Sequence, residues 1–232
     1  MNTARYEFVL RRLATILAVA ILTLSLLSAV TGMLLAFYYE PTAGGAYQSL
    51  EFITTQVSFG WLIRGIHNLA GNGVIVVALV EIVVMFLGRQ FRPSWLTAWI
   101  SGIFFTLSAI GLGWTAMIID WTQEGFWRLK VELGTIEAIP LIGSQIREIL
   151  TGGAVNTTTV AHFYTLHSYV LAIGAIVLAV VHLGAVLLQE LEQSQGGIKI
   201  RLEGLVAPLK ASIANEKKES EAKVPSLVNE KE

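Results

Sequence analysis

The sequence contains no cysteine, and this absence excludes several kinds of chemistry. Disulfide bonds, iron–sulfur clusters ligated by this chain and prosthetic groups attached through thioether bonds all need cysteine thiols. A redox or metal centre in this protein must therefore use other side chains, such as those of histidine, and must be held without a covalent thioether link.

Charged residues are also scarce, at 14% of the chain against 54% hydrophobic residues. A soluble domain of this size carries about 25% charged residues. The formal net charge is -1, and no basic patch of the kind that binds nucleic acid is present, so we expect no nucleic-acid partner. The charges are concentrated in a few places and nearly absent from four long apolar runs, which indicates an integral membrane protein.

The four apolar runs are each long enough to cross a bilayer, which takes about 20 residues as a helix. Aromatic residues cluster near their ends, as they do at membrane–water interfaces. The sequence therefore predicts an all-α membrane protein built on a bundle of four transmembrane helices. The predicted spans are residues 13–39, 65–87, 96–119 and 160–188.

The distribution of lysine and arginine predicts the orientation. These residues are abundant near the N-terminus, between the second and third spans, and in the tail after Glu190, whereas the opposite side has few of them, mixed with acids. Positive residues favour the cytoplasmic side, so both termini are expected there. The second and fourth spans then run in the same direction.

Two regions lie outside the predicted spans. The stretch "AIPLIGSQIREIL" between the third and fourth spans places Ile142, Ile146 and Leu150 at helical spacing, which predicts one or two short surface helices. The tail is charged and poor in aromatics, which is typical of disorder, from about Lys210 onwards. We therefore predict a transmembrane domain at 1–190 and a charged, disordered tail at 191–232.

Polar side chains inside the spans are the candidate functional residues, because each is costly in a bilayer. His67 and Glu81 lie on the second span, and His167 and His182 lie on the fourth. Since these spans are parallel, His67 and His167 are expected at one depth near the outer face. Glu81 and His182 follow 14 and 15 residues later, roughly 20 Å further in, and form a second level.

Two imidazoles at one depth on neighbouring helices can clamp a haem iron. Small residues near His67 would leave room for a flat macrocycle: Ala70, Gly71 and Gly73. The alternative is that these histidines are hydrogen-bonded core residues, and that Glu81 is a protonated packing carboxyl. The residues themselves leave both interpretations open.

Five motifs resemble the cytochrome b/b6 family, in order and at the family's spacings: "TGMLLAFYYEPT", "FGWLIRGIHNLAGN", "QEGFW", "EAIPLIG" and "AHFYTLHSYVL". The resemblance runs from about Arg11 to Gln189. It implies two b-type haems held by four histidines, one haem near each membrane face.

The resemblance implies roles for individual residues. His67 and His167 match the ligands of the outer haem, Arg64 matches an arginine that contacts an outer haem propionate, and Gly32 matches a glycine packed against that haem. At the inner haem, His182 matches one ligand, but Glu81 stands where the second histidine should be. One haem is thus expected, and the second stays open.

Other departures from the family accumulate, mostly near the inner haem and its quinone-reduction pocket. The cysteine that attaches an extra haem in cytochrome b6 corresponds to Ile16, and a family arginine on the fourth helix corresponds to Leu187. A third-helix glycine corresponds to Ala116, and a proline at the exit of that helix corresponds to Asp120. The chain therefore resembles a divergent paralogue with no covalently attached haem.

The resemblance implies a quinol-linked electron-transfer subunit in a thylakoid or plasma membrane. It implies a subunit of a quinol-oxidising oxidoreductase complex that is not a complete enzyme alone, because the family needs a subunit IV-like partner and an iron–sulfur or cytochrome partner. A homodimer and a bound quinone are compatible with it. The alternative function is a membrane scaffold or assembly protein that keeps the fold with one haem or none.

Three arrangements are open at the inner level. The first is a haem held by His182 alone, or by His182 with the Glu81 carboxylate. The second is a direct Glu81–His182 hydrogen bond without a haem. The third is a Glu81–His182 pair that relays protons to a quinone near the inner face.

Overall fold

A computed structural model of the protein describes residues 3–88 and 91–222. These residues form helices joined by turns, with no strand among them. Eight α-helices are described, together with a 3₁₀ turn at Pro93–Trp95 and a π-helical segment at Leu166–Leu171. The α-helices are α1 (Thr3–Ala36), α2 (Ala46–Thr55), α3 (Gly60–Leu87), α4 (Leu96–Ile119), α5 (Gln123–Glu137), α6 (Gly143–Thr151), α7 (Thr157–Thr165) and α8 (Ala172–Ala222).

Four helical stretches within the described residues are long and apolar enough to cross a membrane. This confirms the predicted all-α fold with four spans. The stretches are Arg5–Ala36, Gly60–Leu87, Pro93–Ile119 and Thr157–Glu192.

The first span ends three residues earlier than the sequence suggests. Helix α1 stops at Ala36, and Tyr38 and Tyr39 lie in a turn whose backbone N–H groups both donate to the Leu35 carbonyl. The chain reaches Pro41 two residues after Tyr39, and the residue before a proline disfavours the helical conformation. The aromatic run is therefore an exit turn rather than the last turn of the helix.

Small residues let the helices of the bundle approach closely. Ala78 on α3, Ala109 on α4 and Ala175 on α8 are buried in one apolar cluster with Phe105 and Ile21. Close contact of small residues is the usual means of helix association in lipid, where no hydrophobic force draws helices together. This packing sets the distances between the polar side chains of neighbouring spans.

The fourth span is assembled from three helical pieces. Helix α7 begins with a capping box, in which the Asn156 side chain accepts a hydrogen bond from Thr158 N–H and the Thr159 hydroxyl accepts one from Asn156 N–H. The chain then passes through the π-helical segment Leu166–Leu171 into α8. A π-helical turn inserts one extra residue in a helix and is frequent at functional sites.

Short helices lie between the third and fourth spans, as predicted. Thr122 caps α5 by accepting a hydrogen bond from Gly125 N–H. Helix α6 ends at Gly152, whose φ of 66° is the left-handed conformation that favours glycine at a helix C-terminus. Helix α6 contains the second half of the apolar stretch identified in the sequence, including Ile146 and Leu150, while Ile142 lies just before it.

The C-terminal part of the chain, from Leu188, forms a separate unit. The predicted disordered tail is helical in this structure as far as Ala222, and its last ten residues lie outside the described residues. Alanine, glutamate and lysine are good helix formers, which accounts for helix in a segment that has little apolar surface to bury. The division into two domains at residue 190 stays a prediction.

Candidate functional site

The structure brings the rings of His67 and His167 close together. Their ring centres are 6.4 Å apart, with a tilt of 57° between the rings. Two imidazoles bound on opposite sides of one metal ion have ring centres roughly 6 Å apart, because each metal–nitrogen bond is about 2 Å and each ring centre lies about 1 Å behind its nitrogen. The spacing of the two rings therefore fits an iron ion between them.

Hydrogen bonds at Nδ1 orient both outer imidazoles. His67 Nδ1 donates to the Ser28 carbonyl on α1 at 2.9 Å, and the Ser28 and Thr31 hydroxyls lie within 3.4 Å of the same nitrogen. His167 Nδ1 lies 2.8 Å from the Thr115 hydroxyl on α4. A ligating histidine commonly donates its second ring N–H in this way. Each anchor leaves Nε2 as the nitrogen available to a ligand, and no hydrogen bond to either Nε2 is found among the described residues.

Glycines lie against these rings in two different ways. A Cβ built at Gly32 would lie 2.9 Å from Cε1 of His67, so only glycine lets α1 approach this ring without displacement. At Gly71 and Gly73, however, a Cβ would point toward α1, 3.8 Å from Ser28 and Leu24 respectively. Gly71 and Gly73 thus face α1, where a Cβ would make only an ordinary van der Waals contact, and not the His67 ring.

Arg64 lies one helical turn before His67 and has two partners. Its Nη1 donates to the Thr54 hydroxyl on α2 at 3.1 Å, and its Nη2 lies 3.5 Å from the Asp120 carboxylate just after α4. Burial raises the pKa of the Asp120 carboxyl above its usual value, while the Arg64 guanidinium and, more weakly, His67 act in the opposite direction. At the outer level, the Arg64 guanidinium thus lies beside the acidic side chain of Asp120.

Tyr39 stabilises the end of α4 next to this ion pair. Its hydroxyl donates to the Ile119 carbonyl at 2.6 Å. Burial, with the Asp120 carboxylate as a second cause, raises the pKa of Tyr39 above its usual value, so the phenol keeps the proton that it donates.

At the inner level, Glu81 and His182 are in direct contact. Glu81 Oε1 lies 3.0 Å from His182 Nε2, and both side chains are almost completely buried. His182 Nδ1 donates to the Ala98 carbonyl at 2.9 Å, with the Ser101 hydroxyl at 3.3 Å. The direction of approach is poor for a hydrogen bond, so Glu81 Oε1 and His182 Nε2 lack a hydrogen-bond partner within the described structure.

This inner arrangement does not fit a haem iron between the two side chains. Two atoms bound on opposite sides of one metal ion lie about 4 Å apart, whereas Oε1 and Nε2 are 3.0 Å apart. Buried Phe105 and Met85 also line the space around them. On the far side, a Cβ built at Gly102 would lie 2.8 Å from Cε1 of His182, so α4 approaches this ring as closely as α1 approaches His67 at Gly32.

The π-helical segment accounts for the unequal spacing of the two levels. Glu81 lies 14 residues after His67, but His182 lies 15 residues after His167. Fourteen residues make close to four turns of an α-helix, whereas a fifteenth would rotate the side chain by about 100°. The extra residue in Leu166–Leu171 absorbs that difference, and both levels face the same neighbouring helix.

Sequence reasoning identified the residues that carry functional groups but missed those that orient them. It did not single out Ser28, Thr31, Ser101 or Thr115, whose hydroxyl or carbonyl groups contact the histidines, or Gly102, which packs on His182. The available signal was a hydroxyl residue in an apolar span. That signal is weak, because such hydroxyls also bond to their own helix, as Thr115 does to the Gly111 carbonyl.

Comparison with known proteins places this geometry in a family. The family model described as cytochrome b/b6/petB matches residues 9–190. Cytochrome b6 from Auxenochlorella protothecoides is 34% identical over 161 residues, which cover 69% of this chain and 75% of that protein. Cytochrome b6 from Synechococcus elongatus is 39% identical over 152 residues, which cover 65% of this chain and 70% of that protein.

A solved structure shows the same fold. A chain of a hyperthermophilic respiratory complex III aligns with a TM-score of 0.61 and 24% identity, covering 76% of this chain. This chain spans 47% of the length of that one. Because the family model covers most of the chain, and relatives above 30% identity are matched over more than two thirds of their length, the protein belongs to the cytochrome b/b6 family.

Proposed function

We propose that this membrane cytochrome b is an electron-transfer subunit with one b-type haem, held without a covalent bond between His67 and His167. The observation that carries the proposal is the pair of facing imidazoles, whose centres are 6.4 Å apart. Both rings are anchored at Nδ1, to the Ser28 carbonyl and the Thr115 hydroxyl. Anchoring before the cofactor binds reduces the ordering cost of binding.

The bound haem would supply one-electron redox chemistry, and the chain's own residues would do the rest. His67 and His167 would hold the haem iron, each kept in one tautomer by its Nδ1 hydrogen bond. Gly32 would keep α1 close to the His67 ring. Arg64 would provide positive charge at the outer end, where carboxylate substituents of a haem would meet water.

At the inner level we infer a direct Glu81–His182 pair and no second haem. The 3.0 Å contact and the nearly complete burial of both side chains support this. An unpaired carboxylic acid in a span is costly, and a neighbouring imidazole offsets part of that cost. The contact also suits the related hypothesis that the pair passes a proton to a quinone. A haem held by His182 alone or with Glu81 would require the two side chains to separate.

The finer role follows by analogy with the family. We propose that the chain accepts electrons derived from quinol and works with a subunit IV-like partner and an iron–sulfur or cytochrome partner, as a homodimer or within a larger assembly. The solved relative named above comes from a respiratory complex III, which supports membership of a multi-subunit membrane complex. Both termini are proposed to face the cytoplasmic side, from the lysine and arginine distribution.

A second candidate function is a scaffold or assembly protein that keeps the family fold. The closed inner level favours this alternative, because transfer between two haems across the membrane would need both sites. The two functions differ in haem content and in reducibility. An electron carrier should hold one haem per chain and cycle between ferric and ferrous iron, whereas a scaffold would hold less than one or would not cycle.

The first test is the haem content of the purified protein and of histidine variants. We expect one low-spin b-type haem per polypeptide, and loss of the low-spin spectrum in His67→Ala and in His167→Ala, because each removes one axial ligand. His162→Ala is the matched control, since His162 is exposed at the start of the fourth span. A full low-spin signal in His67→Ala would contradict the proposal.

A further inference from the structure

Asp120 occupies the exit of α4, where the family pattern has proline, and its carboxylate faces Arg64. Asp120 Oδ2 lies 3.5 Å from Arg64 Nη2, and the other guanidinium nitrogen donates to Thr54. The guanidinium is thus held from both sides, by α2 and by the end of α4. Arg64 is three residues before His67 on α3, so its charge is fixed on the same side of the helix as that imidazole.

Neighbouring residues hold the backbone of Asp120 in place. Tyr39 donates its hydroxyl proton to the carbonyl of Ile119, one residue before Asp120. Thr122, two residues after it, caps α5. Trp121 between them has a φ of 50°, a left-handed conformation that is unusual for a bulky residue and that turns the chain sharply at this point. The position of the carboxylate therefore follows from the fold and not from a freely moving loop.

Acidic side chains outnumber basic ones in the pocket next to Asp120. The pocket at the outer end is lined by one cation, Arg64, and by two acids, Asp120 and Glu51, together with uncharged residues such as Thr54 and Thr122. The Asp120 carboxyl lies within electrostatic range of the His67 imidazole. A negative charge near a haem stabilises the ferric state, which carries one more positive charge than the ferrous state.

We propose that Asp120 is a positioning residue that holds the Arg64 guanidinium and, through its negative charge, lowers the reduction potential of the haem bound by His67 and His167. This inference rests on the proposed function, since it concerns the haem at the outer level. It assigns to Asp120 a function that a proline at this position could not have, because proline carries no charge and no polar side-chain atom.

The test is the midpoint potential of the haem in the full-length membrane protein, measured by optical redox titration at neutral pH. Asp120→Asn keeps the size of the side chain and removes its charge. We expect its ferric-to-ferrous ratio at a fixed solution potential to fall by about threefold to tenfold, a tenfold change being 59 mV. Arg64→Gln should raise the ferric-to-ferrous ratio, because it removes a positive charge near the haem. Glu124→Gln is the matched control, because Glu124 is an exposed acid four residues after Asp120. The haem in this variant should have the same midpoint potential as in the wild type.

The double variant separates positioning from a simple charge effect. If Asp120 also holds Arg64 in place, Asp120→Asn lets that positive charge move away, which offsets part of the rise in potential. The effect of Asp120→Asn should therefore be larger in the Arg64→Gln background than alone. Full additivity would overturn the positioning role, and an unchanged potential in a correctly folded Asp120→Asn protein with an intact low-spin spectrum would overturn the inference altogether. Absence of a low-spin haem in the wild type would instead overturn the proposed function, and this inference with it.

Discussion

Three histidines in the spans share one anchoring pattern. His67 and His182 each donate from Nδ1 to a backbone carbonyl on another helix, of Ser28 and of Ala98, and His167 is held by the Thr115 hydroxyl. In each case the anchor selects the tautomer with Nε2 as the free nitrogen. What distinguishes the levels is the group that faces Nε2: a second imidazole at the outer level and a carboxylate at the inner one.

That difference leads to a prediction for Glu81. We expect Glu81→His to raise the haem content from one to two low-spin haems per chain, with Phe105 and Met85 moving aside to admit the second haem. This is expected because His182 is already anchored as a ligand and an imidazole would replace the carboxyl group opposite it. Haem per polypeptide and the absorption spectrum measure this. Glu81→Gln is the control, since it keeps the size of the side chain without supplying an imidazole. Two low-spin haems in the wild type would show the inferred inner pair to be wrong.

At the scale of elements, the π-helical segment aligns the two levels of the fourth span. We expect deletion of Val170, an exposed residue in that segment, to let the segment adopt regular α-helix and to leave His182 in place. Deletion of Val177, exposed in the regular part of α8, should rotate one histidine against the other by about 100°.

The melting temperature in detergent distinguishes these two deletions. The Val170 deletion should change it little, while the Val177 deletion should lower it clearly, because Glu81 would lose the His182 contact and remain buried without a partner. Equal losses in both variants would show that the segment does not set the register.

At the scale of the whole molecule, the lysine and arginine distribution predicts the orientation of the bundle. Because the chain has no cysteine, single cysteines introduced by Ser144→Cys and Ala211→Cys report on topology without a background signal. An impermeant maleimide added to intact cells should label the first variant, between the third and fourth spans, and not the second, in the tail. Membrane permeabilisation should expose the second, and the reverse labelling pattern would contradict the orientation.

The sequence by itself determined the fold class and the chemistry available to the protein. Four long apolar runs, with Glu81 the one aspartate, glutamate, lysine or arginine inside them, predict four spans, since the bilayer sets the length that a helix must cover. Histidines at matching depth on parallel helices follow from helical rise, and the resemblance to the cytochrome b/b6 family implies that Glu81 takes the place of a further histidine. The absence of cysteine excludes thioether attachment in any conformation.

Only the tertiary structure decided how these groups meet. The anchors of His67 and His182 are backbone carbonyls, which every residue carries, so no residue type in the sequence marks them. The 3.0 Å contact between Glu81 and His182 depends on how closely α3, α4 and α8 pack, and the 15-residue spacing becomes equivalent to 14 only through the π-helical segment. The sequence places Asp120 only at the end of the third span. Its ion pair with Arg64 depends on the fold, because Tyr39 and Thr122 hold the chain on either side of Asp120.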